Sequence, residues 1–139
     1  MFQRDFLMRE LKRMLDGIAA VLRKHREGDT TMALQALGGL YDDVLAEHRA
    51  LLDHTDARTM ASILASKERV AAVASLLAAE AELKADDPVE SMLKKAKATE
   101  LMLEAIAQGY DGLEQIEAWA VPESMLSPRA RELRAAPAE

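Results

Sequence analysis

The chain has 139 residues, no Cys, and 18 Lys and Arg against 24 Asp and Glu, for a net charge of −6. This length suits a single domain that folds without metal ions or disulfides. The lack of Cys excludes thiol catalysis and thiolate metal sites, and the acidic balance argues against nucleic acid as a partner, because phosphate contacts need a basic surface. No apolar run is long enough to predict a membrane-spanning helix, so we expect a cytoplasmic protein.

The first 28 residues differ in charge from the rest of the chain. Seven Lys and Arg against four Asp and Glu give this segment +3, so residues 29–139 must carry −9 to reach the total of −6. Charged residues interrupt it throughout, which is not the pattern of an export signal. Apolar residues at spacings of four and three predict a helix whose stripe is buried against protein. The stripe consists of Leu7, Leu11, Met14, Ile18 and Val21.

Further apolar residues widen this predicted face, namely Phe6, Met8, Leu15 and Leu22. A wide face is typical of a helix buried in a bundle and not of a two-stranded coiled coil. We expect Arg4, Arg9, Lys12 and Arg13 to stay outside, and Gly28 to end the helix.

A second helix is predicted from Asp29 or Thr30, either of which can cap it, to about Asp53. Two adjacent glycines, Gly38 and Gly39, fall in its middle. Each costs a helix about 1 kcal/mol relative to Ala, so we expect a kink or a break at this point.

Two helices follow in the middle of the chain. A short third helix is predicted over about 56–65, and Ser66 is a natural cap for a fourth that continues to about Lys84. Val70, Val73, Leu77 and Ala81 share one face of the fourth helix.

The fifth helix, residues 88–108, has the clearest boundaries. Asp87 is placed to cap it, Pro88 takes the first position, Glu90 the capping-box position, and Gly109 the left-handed end. It is apolar on two sides, which predicts a central place in the fold. One line holds Val89, Leu93 and Ala96, and the other holds Ala98, Leu101, Met102 and Ala105.

A shorter sixth helix is predicted over about 111–120, and Pro122 ends it. Ser127 and Pro128 can begin one last turn or two through Leu133, followed by a frayed tail. The sequence therefore predicts an all-α protein, an antiparallel bundle or array of five to six helices. Residues 1–126 form the domain, and 127–139 a short C-terminal helix and tail.

Part of the second half resembles a degenerate tetratricopeptide repeat. In that family two antiparallel helices pack through small residues, and the second ends in a run like Lys97-Ala98-Thr99-Glu100-Leu101. The resemblance puts Ala79 and Ser91 at the small positions and Asp87 in the turn, whereas Glu82, Asp86 and Lys95 depart from the usual residues. It implies a helical hairpin and no peptide-binding residues.

The opening Arg4-Asp5-Phe6-Leu7-Met8-Arg9, with the glycine-ended first helix and the late hairpin, resembles a family of bacterial domains of unknown function. This resemblance implies an all-helical cytoplasmic bacterial protein. It brings no activity and no site residues with it.

No catalytic or metal-binding constellation emerges from the pattern. The three histidines are His25, His48 and His54, and none lies in the His-Glu-x-x-His or Glu-x-x-His spacing of metal-binding helices. No Ser lies in a Gly-x-Ser-x-Gly elbow, and no Gly-rich run could hold a phosphate. We therefore expect no enzyme, no cofactor and no metal site.

The sequence favours a non-enzymatic helical scaffold that binds protein, most simply a second copy of itself as a homodimer. The alternatives are a membrane-peripheral protein that docks through its basic first helix, which its acidic residues make less favourable, and a small-ligand-binding protein. The residues predicted to take part in interaction are Leu7, Leu11, Met14, Ile18, Leu101, Met102 and Trp119.

Overall fold

A computed structural model describes residues 2–136, with side chains from Arg4 onward, and the residues described include no β-strand. They form seven α-helices: α1 (Phe2–Arg26), α2 (Thr30–Leu45), α3 (Ala57–Leu64), α4 (Lys67–Leu83), α5 (Pro88–Ala107), α6 (Leu113–Trp119) and α7 (Pro128–Ala135). Two 3₁₀ segments, Ala46–His54 and Glu123–Met125, follow α2 and α6. The all-α prediction is confirmed, whereas the predicted count of five to six helices is one or two fewer than the seven observed.

The helix boundaries follow from capping residues in the sequence. A side-chain oxygen at the start of each of five helices accepts a backbone N–H, which satisfies a donor that the helix itself leaves free. The five capping residues are Asp29, Asp56, Ser66, Asp87 and Ser127. Gly28 and Gly109 end α1 and α5 at φ values of +90° and +101°, which a side chain disfavours. Glu90 does not complete a capping box, because its carboxylate pairs with Lys84 at 2.9 Å.

The central element is α4, an Ala-rich helix buried on most sides. It packs against α1 and α2 on one side and against α5 on the other. Ion pairs from Arg69 to Glu10 and from Arg26 to Glu82 join α1 and α4 at both ends, so these two helices run parallel. Ser91 donates to the carbonyl of Ala81 across the turn after α4. Accordingly, α4 and α5 form an antiparallel hairpin.

The predicted kink in the second helix is wrong in position. The helix α2 runs uninterrupted through Gly38 and Gly39, and the chain leaves α geometry at Ala46, where φ is +48°. Leu37 and Tyr41 are buried on either side of the glycine pair, so tertiary packing outweighs the low helix propensity of the two residues. Beyond Ala46 the chain continues as the 3₁₀ segment.

The C-terminal part of the chain packs on α5. There α7 is about two turns long and ends at Ala135, two residues beyond the predicted end at Leu133, and it buries Ala130. Arg129 of α7 donates two hydrogen bonds to the buried carboxylate of Glu104, at 2.6 and 2.9 Å. Arg134 and Ala135 are helical and not part of a frayed tail, and Arg134 donates to the backbone carbonyl of Val121 at 3.1 Å. Residues 137–139 of that predicted tail lie outside the described residues.

Candidate interaction surface

The apolar stripe of α1 is buried, as the sequence predicts. Leu11, Met14, Ile18 and Val21 are all under 10% exposed, and Leu7 is half-buried. Arg4, Arg9, Lys12 and Arg13 are exposed, again as predicted. The first helix is therefore a core helix of the domain, and most of its predicted interaction residues are already covered by the protein's own core.

The remaining predicted interaction residues are also covered, fully or in part, by the protein's own core. Leu101 and Met102 of α5 are completely buried, and Trp119 of α6 is partly buried against the same core. A surface that contacts another molecule must instead be built from side chains that the fold leaves exposed.

Three apolar side chains of α1 are exposed, although the sequence pattern predicts them in the wide buried face. Phe6 is 55% exposed, Met8 49% and Leu15 39%. Met8 and Leu15 are seven residues apart, about two turns, so they lie along one edge of the exposed face, and Phe6 lies near the other edge. They fall outside the four-and-three spacing of the buried stripe, which is the signal that could have identified them.

Cationic side chains fill the space between these two apolar edges. Arg9, Lys12 and Arg13 are exposed there, together with Asp5 and Asp16. Among the described residues, none of the three cations lies within 4.0 Å of a carboxylate of another side chain. We call Phe6, Met8, Leu15, Arg9, Lys12 and Arg13 the α1 surface; it is amphipathic, and its three cations outnumber the neighbouring carboxylates of Asp5 and Asp16 by one.

A polar cluster joins α2, α4 and α5 on another side of the molecule. Its centre is Glu80, whose carboxylate accepts a hydrogen bond from the Tyr41 hydroxyl at 2.7 Å and lies 2.8 Å from Lys84 and 3.6 Å from Lys94. Burial alone would raise the pKa of Glu80, but the hydrogen bonds from Lys84 and Tyr41 and the charge of Lys94 hold it below its usual value. Burial and the neighbouring Glu80 carboxylate raise the pKa of Tyr41.

The lysines around this cluster are also engaged within the protein. Lys94 lies 3.7 Å from Asp53, and Lys97 donates to the backbone carbonyl of Leu52. Burial lowers the pKa of Lys97. Each of these groups ties α5 to the 3₁₀ segment after α2, so the cluster holds elements together and presents no free reactive group.

A surface cavity of about 230 Å³ lies between α3, α5 and α7. Glu100, Glu104 and Arg129 line it together with the starts of α3 and α7. Two of its carboxylates are already bonded within the protein: Glu104 binds Arg129, and Glu100 accepts the backbone N–H of Ser127 at 3.0 Å. The cavity is the feature on which the small-ligand alternative depends.

The histidines do not come together. His25 forms a 2.9 Å hydrogen bond with Thr30 at the turn between α1 and α2, and His48 lies 3.7 Å from Glu47 on the 3₁₀ segment. Within residues 2–136 no group of three or more His, Asp or Glu side chains is arranged to hold a metal ion. None of the helices in that same range is long and apolar enough to cross a membrane.

Comparison of the chain with models of protein families, with curated proteins and with solved structures found no match.

Proposed function

We propose that this protein is a non-enzymatic helical interaction module that forms a homodimer through the α1 surface. The observation that carries the proposal is the exposure of Phe6, Met8 and Leu15 beside three cations that form no ion pair among the described side chains, on a helix whose other face is already buried. Apolar side chains bordered by charges are typical of protein contacts. A second copy supplies the counter-charge, since residues 29–139 carry −9.

The size of this surface sets the expected affinity. Covering three roughly half-exposed side chains removes roughly 250 Å² of apolar surface per copy, worth about 6 kcal/mol at 25 cal/mol per Å². Two copies contribute about 12 kcal/mol, against an association cost of roughly 4 to 15 kcal/mol. At the lowest of these costs about 8 kcal/mol remains, which corresponds to a Kd of about 1 μM, so the dimer is micromolar or weaker and not permanent.

A second exposed apolar pair lies on α5, where the sequence predicted buried residues. Val89 is 71% exposed and Leu93 58%. Their cationic neighbours differ from those of the α1 surface, because Lys94 and Lys97 already bind Asp53, Glu80 and the carbonyl of Leu52. The α5 pair thus lacks a free charge to attract and orient an acidic partner, which favours the α1 surface as the contact.

Replacing exposed apolar side chains tests this choice. Phe6→Gln with Met8→Gln should shift the protein to monomer in sedimentation velocity over about 1–100 μM, a range around a micromolar Kd. Val89→Gln with Leu93→Gln is the matched control, because it removes a similar exposed apolar surface, and it should leave the dimer intact. If only the α5 variant dissociates, or both do equally, the α1 surface is not the contact.

An anionic membrane is the second candidate partner. Aromatic and aliphatic side chains beside Arg and Lys also characterise helices that lie on lipid headgroups. The buried stripe of α1 faces the core and is not available for lipid, so only Phe6, Met8 and Leu15 could insert. Co-sedimentation with phosphatidylserine vesicles at low salt tests this alternative, and retention of the protein in the supernatant would remove it.

The remaining parts of the proposal concern scaffold and location. The α4–α5 hairpin, with Ser91 bonded across it to Ala81, is the part that supports a tetratricopeptide-like arrangement. It serves as the scaffold that holds α1 against α4 and α6 against α5. A cytoplasmic site of action agrees with the lack of Cys, which fits a reducing compartment.

A further inference from the structure

The helix α6 carries a charge opposite to that of the α1 surface. Residues 98–128 include six Asp and Glu and no Lys, Arg or His. Asp111, Glu114 and Glu117 are exposed, and none lies within 4.0 Å of a cation among the described side chains. Leu113, between them, is 51% exposed. We call these four residues the α6 surface; it has the apolar contact and the acidic border that the α1 surface needs in a partner.

The two surfaces lie at the same end of the molecule, where α4 begins. Arg69 in the first turn of α4 pairs with Glu10 of α1 at 3.7 Å. The ammonium of Lys67, in the same turn, lies beside Gly109 in the chain leading to α6, 3.5 Å from where a Cβ would sit. One turn of α4 therefore contacts both the helix of the α1 surface and the segment before the α6 surface.

From this arrangement we infer that two copies pair with two-fold symmetry, the α1 surface of each copy lying on the α6 surface of the other. This inference rests on the proposed self-association and specifies which surface receives α1. In a symmetric pairing of α1 with α1, each copy would present three cations and the two carboxylates of Asp5 and Asp16, so two surfaces of the same net positive charge would meet. The reciprocal arrangement instead matches cations with carboxylates twice, and a two-fold contact closes on itself.

Charge reversal on each surface tests the pairing directly. The first variant carries Lys12→Glu and Arg13→Glu, and the second carries Glu114→Lys and Glu117→Lys. All four side chains are exposed, so circular dichroism and thermal unfolding should show both variants folded. Each variant alone juxtaposes like charges at both contacts, and its Kd for self-association should rise by about tenfold or more.

Mixing the two variants is the decisive step. In a mixed dimer the reversed α1 surface of one copy meets the reversed α6 surface of the other, and the two unaltered surfaces also meet, so opposite charges face each other at both contacts. Sedimentation velocity of the equimolar mixture should recover a dimer of near wild-type Kd. Wild-type self-association should also weaken as NaCl rises from about 0.05 to 0.5 M, since salt screens exposed charges.

The possible outcomes distinguish failure of the α1–α6 pairing from failure of the proposed self-association. A wild-type dimer that the Glu114→Lys, Glu117→Lys variant leaves unchanged, or a mixture that stays monomeric, would overturn the α1–α6 pairing and leave self-association standing. A wild type that stays monomeric at every concentration would remove the proposed function itself. Binding to phosphatidylserine vesicles that Lys12→Glu with Arg13→Glu abolishes, without any protein dimer, would assign the α1 surface to a membrane and overturn the pairing.

Discussion

Replacing Tyr41 with Phe isolates one hydrogen bond in the polar cluster that joins α2 to α4. The ring of Tyr41 is only 4% exposed and stays buried in the variant, so the change removes the hydroxyl alone. That hydroxyl donates to Glu80 at 2.7 Å, and a hydrogen bond to a charged group contributes about 1.5–3 kcal/mol. Lys84 still binds the carboxylate at 2.8 Å, which places the expected loss near the lower end, about 1.5–2 kcal/mol.

Urea unfolding followed by circular dichroism measures this loss at one fixed protein concentration, because self-association adds to apparent stability. In thermal unfolding, the same loss should lower the melting temperature by roughly 5 to 8 °C. Tyr110→Phe is the matched control, since Tyr110 is half-buried and its hydroxyl makes no hydrogen bond to the described residues. A Tyr41→Phe variant as stable as the wild type, or no less stable than Tyr110→Phe, would refute the assigned role of the hydrogen bond.

Four further substitutions test other parts of the structure. Because the pKa of Glu80 is lowered in the folded protein, its contribution is present above the unfolded-state pKa and is lost as pH falls through the folded value. Stability should therefore decline below about pH 4.5, and Glu80→Gln should flatten that decline in urea titrations; an unchanged profile would contradict it. Gly39→Ala should stabilise by about 0.5–1 kcal/mol, because a Cβ there meets open space in a helix, whereas Gly28→Ala should destabilise by about 1–2 kcal/mol because its φ is +90°. Equal signs for the two glycine variants would count against the backbone described. Leu101→Ala should cost about 2–5 kcal/mol, since Leu101 is fully buried, and a loss below 1 kcal/mol would place it outside the core.

Helix boundaries were predictable because capping is local chemistry. The caps at Ser66, Asp87 and Ser127 depend on residues within one turn, and the sequence marks them directly. The end of α2 was not predictable in this way. The glycine pair is the strongest local breaker, yet packing around Leu37 and Tyr41 holds the helix through it, and packing is a property of the whole fold.

For the candidate surface, too, the local sequence pattern predicted some features, whereas others depend on tertiary packing. The four-and-three spacing correctly placed Leu11, Met14 and Ile18 in the core. It did not tell whether Phe6 and Met8, beside the stripe, would be covered, because that depends on how wide a face the neighbouring helices present. Nor could periodicity place α1 and α6 at one end of the molecule, since that follows from contacts with the first turn of α4.

The central claim is that the protein pairs with a second copy of itself, and its molar mass in solution tests this most directly. Light scattering coupled to size exclusion should give a mass that rises towards twice the 15.3 kDa of one chain as the loaded concentration approaches about 100 μM. A mass that remains at 15.3 kDa across the whole range would contradict the claim.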